Sequence, residues 1–117
     1  MNSGSRRLLR YFLAVYWVAC FLSTHIPATD LPATLPPGVD KLVHIALFSG
    51  LGFLFFLTQD RLRGAGVRFV VGCLLASGLF DESTQPLTGR AFEFLDIVAD
   101  GVGALVGSVV AAWVDRT

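Results

Sequence analysis

The stretch IVADGVGALVGSVVAAWV, residues 97–114, decides the fold. Asp100 is its ionisable side chain, and the run lacks the strict apolar–polar alternation of a half-buried strand. A helix needs about 20 mostly apolar residues to cross about 30 Å of hydrocarbon, which this run approaches. Asp96, Asp100, Gly103 and Gly107 recur at spacings of four, three and four, so they share one helical face. The Gly103/Gly107 pair forms a small-x-x-x-small seam that lets a neighbouring helix come close. If that seam packs inward, both carboxyl groups point inward with it.

Three more apolar segments precede it, at residues 8–24, 42–58 and 67–80. At about 1.5 Å per residue the third reaches only about 21 Å. It is therefore expected to continue through Asp81 and Glu82 toward Pro86, giving a span of 67–85. Isolated strands cannot satisfy their backbone groups in lipid, so all four segments read as helices. The composition agrees: 54% of the 117 residues are hydrophobic and 15% are charged. Zero formal net charge removes the global basic field that a nucleic-acid binder needs. The expected architecture is all-α, a polytopic membrane protein built as a single domain over 1–117 from a bundle of four transmembrane helices.

Orientation follows from the cations. Arg6, Arg7, Arg10, Arg61, Arg63, Arg68 and Arg116 lie on one side of the spans, while Lys41 and Arg90 lie on the other. By the positive-inside rule both termini are cytoplasmic, in the bacterial inner membrane, and segments 25–41 and 81–96 face outward. The proline-rich first outer segment is expected to be an extended cover. Arg6 and Arg7 before an apolar run also fit a signal peptide, but the cleavage pattern is poor and removal would leave an odd number of spans. Cys20 and Cys73 lie in apolar runs without a Cys-x-x-Cys spacing and read as buried thiols.

The outward ends carry most of the remaining polar chemistry. Asp40, Lys41 and His44 share one side of the second helix, and Gly52 continues the line of Asp40, His44 and Phe48. Asp81, Glu82 and Gln85 close the third helix before Pro86, and Gly72 and Ala76 offer it a small-residue surface. Together with Arg90, Asp96 and Asp100 these residues define a polar pocket at the outer leaflet boundary. Asp40 and Asp96 each have a plainer reading, as an interfacial charge or a helix cap, and Lys41 reads equally as a head-group anchor. His44 and Asp100 lie about one turn inside their spans, where an ionisable group is costly, so function is the stronger reading for them, with structural pairing to each other as its rival. Phe92, Phe94, Trp17 and Trp113 read as an interfacial aromatic belt.

The ordered set Lys41-x-x-His44-x-x-x-Phe48, Glu82-x-x-Gln85, Arg90, Asp96 and the Gly103, Gly107 tail resembles the VanZ-like family of small bacterial integral membrane proteins. The likeness runs from about Asp40 to Gly107. That family more often has Asn where this chain has Asp100, which bears on the charge of the pocket. The resemblance implies a multi-helix membrane architecture and joint action of Lys41, His44, Glu82, Gln85, Arg90 and Asp96. The family is associated with glycopeptide resistance, an association not carried over to this chain.

Five acids face Lys41, Arg90 and His44 in this pocket, which calls for a raised carboxylate pKa, a bound cation or a cationic ligand. One expectation is an enzyme acting on the head group of a lipid or cell-envelope precursor. Glu82, His44 and Asp96 would then carry the chemistry, with Lys41, Gln85, Arg90, Asp81 and Asp100 holding substrate. The alternative is a non-catalytic protein that binds an envelope ligand or amphiphilic antibiotic, self-associates, or docks with a membrane partner. Proton-coupled transport is weaker, since no inverted repeat is visible. A metal site has suitable ligand types but no recognised spacing, and the sequence names no cofactor. Ser83 and Thr84 lack an activating nucleophile motif.

Overall fold

The computed structural model describes residues 3–25, 38–59, 66–88 and 94–116. These form four α-helices: α1 (Ser3–Thr24), α2 (Val39–Thr58), α3 (Gly66–Thr84) and α4 (Phe94–Arg116). A 3-10 turn, Gln85–Thr88, follows α3 and contains Pro86, whose ring disfavours a helical conformation at Gln85. The described residues contain no strand. Both α2 and α4 are long and apolar enough to cross a membrane. Each helix extends past its apolar run into polar neighbours, because backbone hydrogen bonding continues until a breaker intervenes. At the start of α2 that breaker is Gly38, whose φ of 86° suits a residue without Cβ.

Helices α2 and α4 run parallel in backbone contact. A Cβ at Gly103 would lie 2.5 Å from the Ile45 carbonyl oxygen, and one at Gly52 would lie 2.5 Å from that of Ala104. At Gly107 it would fall against the Ser49 carbonyl and the Phe53 amide. The seam read from the sequence therefore packs inward.

Helix α3 runs antiparallel to α4. Its inward line is Val70, Leu74, Gly78, Asp81 and Glu82, all buried. The expected small-residue surface of Gly72 and Ala76 is corrected here: both are exposed, and nothing lies within 4 Å of a Cβ at Gly72. Two residues amount to about half a turn, so positions 72 and 76 face away from the line through 70, 74 and 78. Gly78 takes the role instead, with a Cβ there lying 2.6 Å from Asp100 Oδ2.

Helix α1 is held by longer polar reaches. The Arg10 guanidinium donates to the Thr58 carbonyl (3.0 Å), the Tyr16 hydroxyl to that of Leu47 (3.1 Å), and Trp17 Nε1 to Ser77 Oγ (3.0 Å). Trp17 is thus an inter-helix contact rather than a member of a surface belt, whereas Trp113 and Phe94 are exposed. Cys20 is buried, Cys73 is half-buried, and both are free thiols.

Substituting Gly107 by Ala is expected to destabilise the protein by about 1–3 kcal/mol through overpacking against backbone that cannot yield. Gly72→Ala, on an open helix face, should be neutral or stabilising by up to about 1 kcal/mol. Thermal unfolding of the two variants in one detergent compares them, and equal midpoints would refute a backbone-contact seam.

Candidate functional site

The parallel α2/α4 pair sets His44 opposite Asp100, and the antiparallel course of α3 brings Glu82 to the same level. His44 Nδ1 and Asp100 Oδ1 are 2.6 Å apart, in a buried hydrogen bond. With Asp100 ionised, its carboxylate only accepts, and Nδ1 then carries the proton and donates. In a neutral imidazole the lone pair is then on Nε2, which lies 3.7 Å from Asp96 Oδ2. That separation is too long for a hydrogen bond.

Asp96 lies in the first turn of α4 and is 3% exposed. Its Oδ1 pairs with Lys41 Nζ at 2.8 Å, and the same ammonium meets Asp40 Oδ2 at 2.8 Å. Lys41 therefore bridges a buried acid and a partly exposed one. This is an ion-pair role, distinct from the solvated cap and the head-group anchor weighed from sequence. Asp100 is fully buried, and its second oxygen, Oδ2, has no hydrogen-bond partner among the described residues. That oxygen is turned toward α3 at Gly78, one turn before Glu82.

Glu82 is also fully buried, with Asp81 and Gln85 nearly so. Ligand atoms of His44, Glu82 and Asp96, from three different helices, all lie within 4.8 Å of one another. Among the sequence candidates, Lys41, His44, Asp96 and Asp100 are joined by direct contacts, and Glu82 belongs to the same cluster. Asp81 and Gln85 are buried on the inward side of the same helix end. Arg90 and Phe92 lie outside the described residues. The acids are inside the bundle rather than around an open cleft, and Lys41, 26% exposed at the side chain, stands at the edge.

The hydroxyls nearby are engaged with backbone. Ser83 Oγ donates to the Leu79 carbonyl (2.7 Å), while Thr84 Oγ1 lies within hydrogen-bond reach of the Phe80 carbonyl (3.0 Å) and of His25 Nε2 (2.6 Å). One residue that sequence reasoning passed over is His25. Its Nε2 lies 2.6 Å from Thr84 Oγ1, its Nδ1 lies 2.8 Å from the Phe21 carbonyl, and its ring stacks on Phe21. It ties the end of α1 to the end of α3. The available signal was its place one residue past the first apolar run, at the same depth as the other polar helix ends.

The described residues form helices, two of them long and apolar enough to cross a membrane, with a buried His–carboxylate cluster at their shared end, features that suggest a small helical membrane protein. A model of the VanZ/LLP1 family matches residues 8–115, which include every residue of the cluster, and the chain belongs to that family. No curated protein and no solved structure matches it.

Removing one partner of the Lys41–Asp96 pair leaves a buried charge uncompensated. Lys41→Met is therefore expected to cost about 2–3 kcal/mol. The double variant Lys41→Met/Asp96→Leu should recover most of that loss. A double-mutant cycle by thermal unfolding measures the coupling, and strictly additive effects would show that the pair is not coupled.

Proposed function

We propose that the protein is a four-span membrane protein whose buried cluster lies at the extracytoplasmic end of the bundle and acts on the head group of a lipid or cell-envelope precursor. The observation that carries this reading is the His44–Asp100 hydrogen bond at 2.6 Å, with Glu82 and Asp96 beside it, at 0–3% exposure. Ionisable groups held at such a site in a membrane are costly and point to chemistry or ligand contact. Four spans are supported by the exposed apolar side chains of α1 and α3, among them Leu8, Val15, Leu22, Phe69 and Leu79, which match those of α2 and α4. The arginines near residues 6–10 and 61–68 support cytoplasmic termini in the inner membrane.

In this reading His44, Glu82 and Asp96 carry the chemistry. Lys41, Gln85 and Arg90 hold the phosphate or carboxylate of the ligand, and Asp81 and Asp100 shape the inner wall. The ligand enters across the partly exposed Lys41 edge. The alternative is binding without turnover, of an envelope ligand, an amphiphilic antibiotic or a membrane partner. It is favoured by the engagement of Ser83 Oγ with the Leu79 carbonyl, which turns that hydroxyl away from the cluster.

Comparing lipid and precursor composition in cells with and without the protein is the first test. A changed species that is restored by the wild type and not by Glu82→Gln or His44→Gln supports catalysis, with an expected loss of about 100-fold or more in turnover. Composition unchanged by the protein, with ligand capture still dependent on Lys41 and Arg90, favours binding alone. For orientation, Ala33→Cys should react with a membrane-impermeant maleimide from outside intact spheroplasts and Ala65→Cys should not. The reverse labelling would overturn the topology.

A further inference from the structure

We propose that His44, Glu82 and Asp96 bind one divalent metal ion of the zinc or manganese type, with Asp100 as the residue that orients the histidine ligand. This deepens the reading of the same cluster, yet it stands on geometry that needs no lipid substrate.

The first support is the donor set. One imidazole nitrogen and two carboxylates, each from a different helix, offer atoms within 4.8 Å of one another. Ligands on a common ion at about 2.0–2.2 Å stand about 3–3.5 Å apart at tetrahedral or octahedral angles. The 3.7 Å between His44 Nε2 and Asp96 Oδ2 is close to that separation and beyond a direct hydrogen bond. Nitrogen with carboxylate oxygen suits zinc and manganese better than the all-oxygen preference of calcium.

The second support is the orientation of the histidine. Ligating histidines commonly donate their other ring N–H to a carboxylate, which fixes the ring and raises its basicity. The 2.6 Å contact between His44 Nδ1 and Asp100 Oδ1 has that form, and it leaves Nε2 turned to the cluster. Asp96 is divided in the same sense, with Oδ1 on Lys41 and Oδ2 toward His44.

The third support is charge. The buried carboxyl groups of Glu82, Asp96 and Asp100 gather around one imidazole. A divalent ion is a charge partner suited to such a set. Burying carboxylates without compensating charge is costly. Three protein ligands leave a coordination position open, as in catalytic rather than structural sites. Such an ion would polarise a head-group oxygen or activate water.

The purified protein in detergent, stripped with a chelator, is titrated separately with Zn2+ and Mn2+ by calorimetry, and thermal unfolding is followed at each concentration. Binding of about one ion per chain, with a midpoint that rises with metal concentration, is expected. His44→Gln and Glu82→Gln should abolish it, while Asp100→Asn should weaken it about 10–100-fold without abolishing it. Correct folding of each variant is checked by its midpoint without metal. No saturable binding, or binding that survives in both His44→Gln and Glu82→Gln, overturns the site. The outcomes separate from those of the lipid experiment. Metal binding without lipid turnover leaves the ion site intact, and turnover that survives metal removal leaves an acid–base cluster without an ion.

Discussion

Helices α2 and α4 approach to backbone contact because Gly52, Gly103 and Gly107 place no side chain between them. Lipid tails are as apolar as leucine, so helices in a bilayer gain little from hiding apolar surface from one another. Their association rests on close packing and polar contacts. The glycine seam supplies the packing over the middle of the pair. Its register then carries upward, so that contact of Gly103 with Ile45 and Phe48 leaves His44 level with Asp100. A wider seam would separate those side chains and lose a contact of 2.6 Å.

The third wall follows from the second. With Asp100 pointing across the bundle, α3 can pass beside it where its own side chain is absent, at Gly78. One turn further along α3 comes Glu82, which therefore arrives at the level of His44 and Asp96. Helix α1 contributes differently. Arg10, Tyr16 and Trp17 reach out to the other helices, and His25 bonds to Thr84 at the polar end, so side chains rather than a backbone seam set its position. Among the described residues the His–carboxylate cluster is assembled from α2, α3 and α4.

Much of this was legible because helical spacing is a local property. Spacings of three and four placed Asp96, Asp100, Gly103 and Gly107 on one face, and the same rule grouped Lys41 with His44. What spacing cannot give is which face of a helix meets which neighbour. Gly72 and Ala76 satisfied the small-residue pattern as well as Gly103 and Gly107 did, yet they face outward. The continuous line from Val70 through Leu74 and Gly78 to Glu82 was the better guide, since it ends on the acids. Trp17 was misread for a related reason. An amphipathic ring fits an interface belt on general grounds, and its actual partner, Ser77, is 60 residues away in the chain. His25 was overlooked because it adjoins a proline-rich segment that reads as loop. Its hydrogen bond to Thr84 depends on α1 and α3 ending at the same level.

Asp96 and Asp100 show how depth divides roles between similar residues. They are four apart on one helix face, a difference of about 6 Å along the axis. The shallower carboxylate has Lys41 within reach, so one of its oxygens is neutralised by a cation that is itself partly open to the surroundings. Among the described residues the deeper one meets imidazole and the bare backbone surface at Gly78. A carboxylate in that position is closed off from the surroundings and bonds to the ring that faces inward. The same side chain type therefore orients a partner at one depth and presents an oxygen to the cluster at another. An Asn at position 100 could still accept a hydrogen bond from Nδ1 while removing a buried charge, so the orienting role depends on an acceptor oxygen and the electrostatic role depends on the acid.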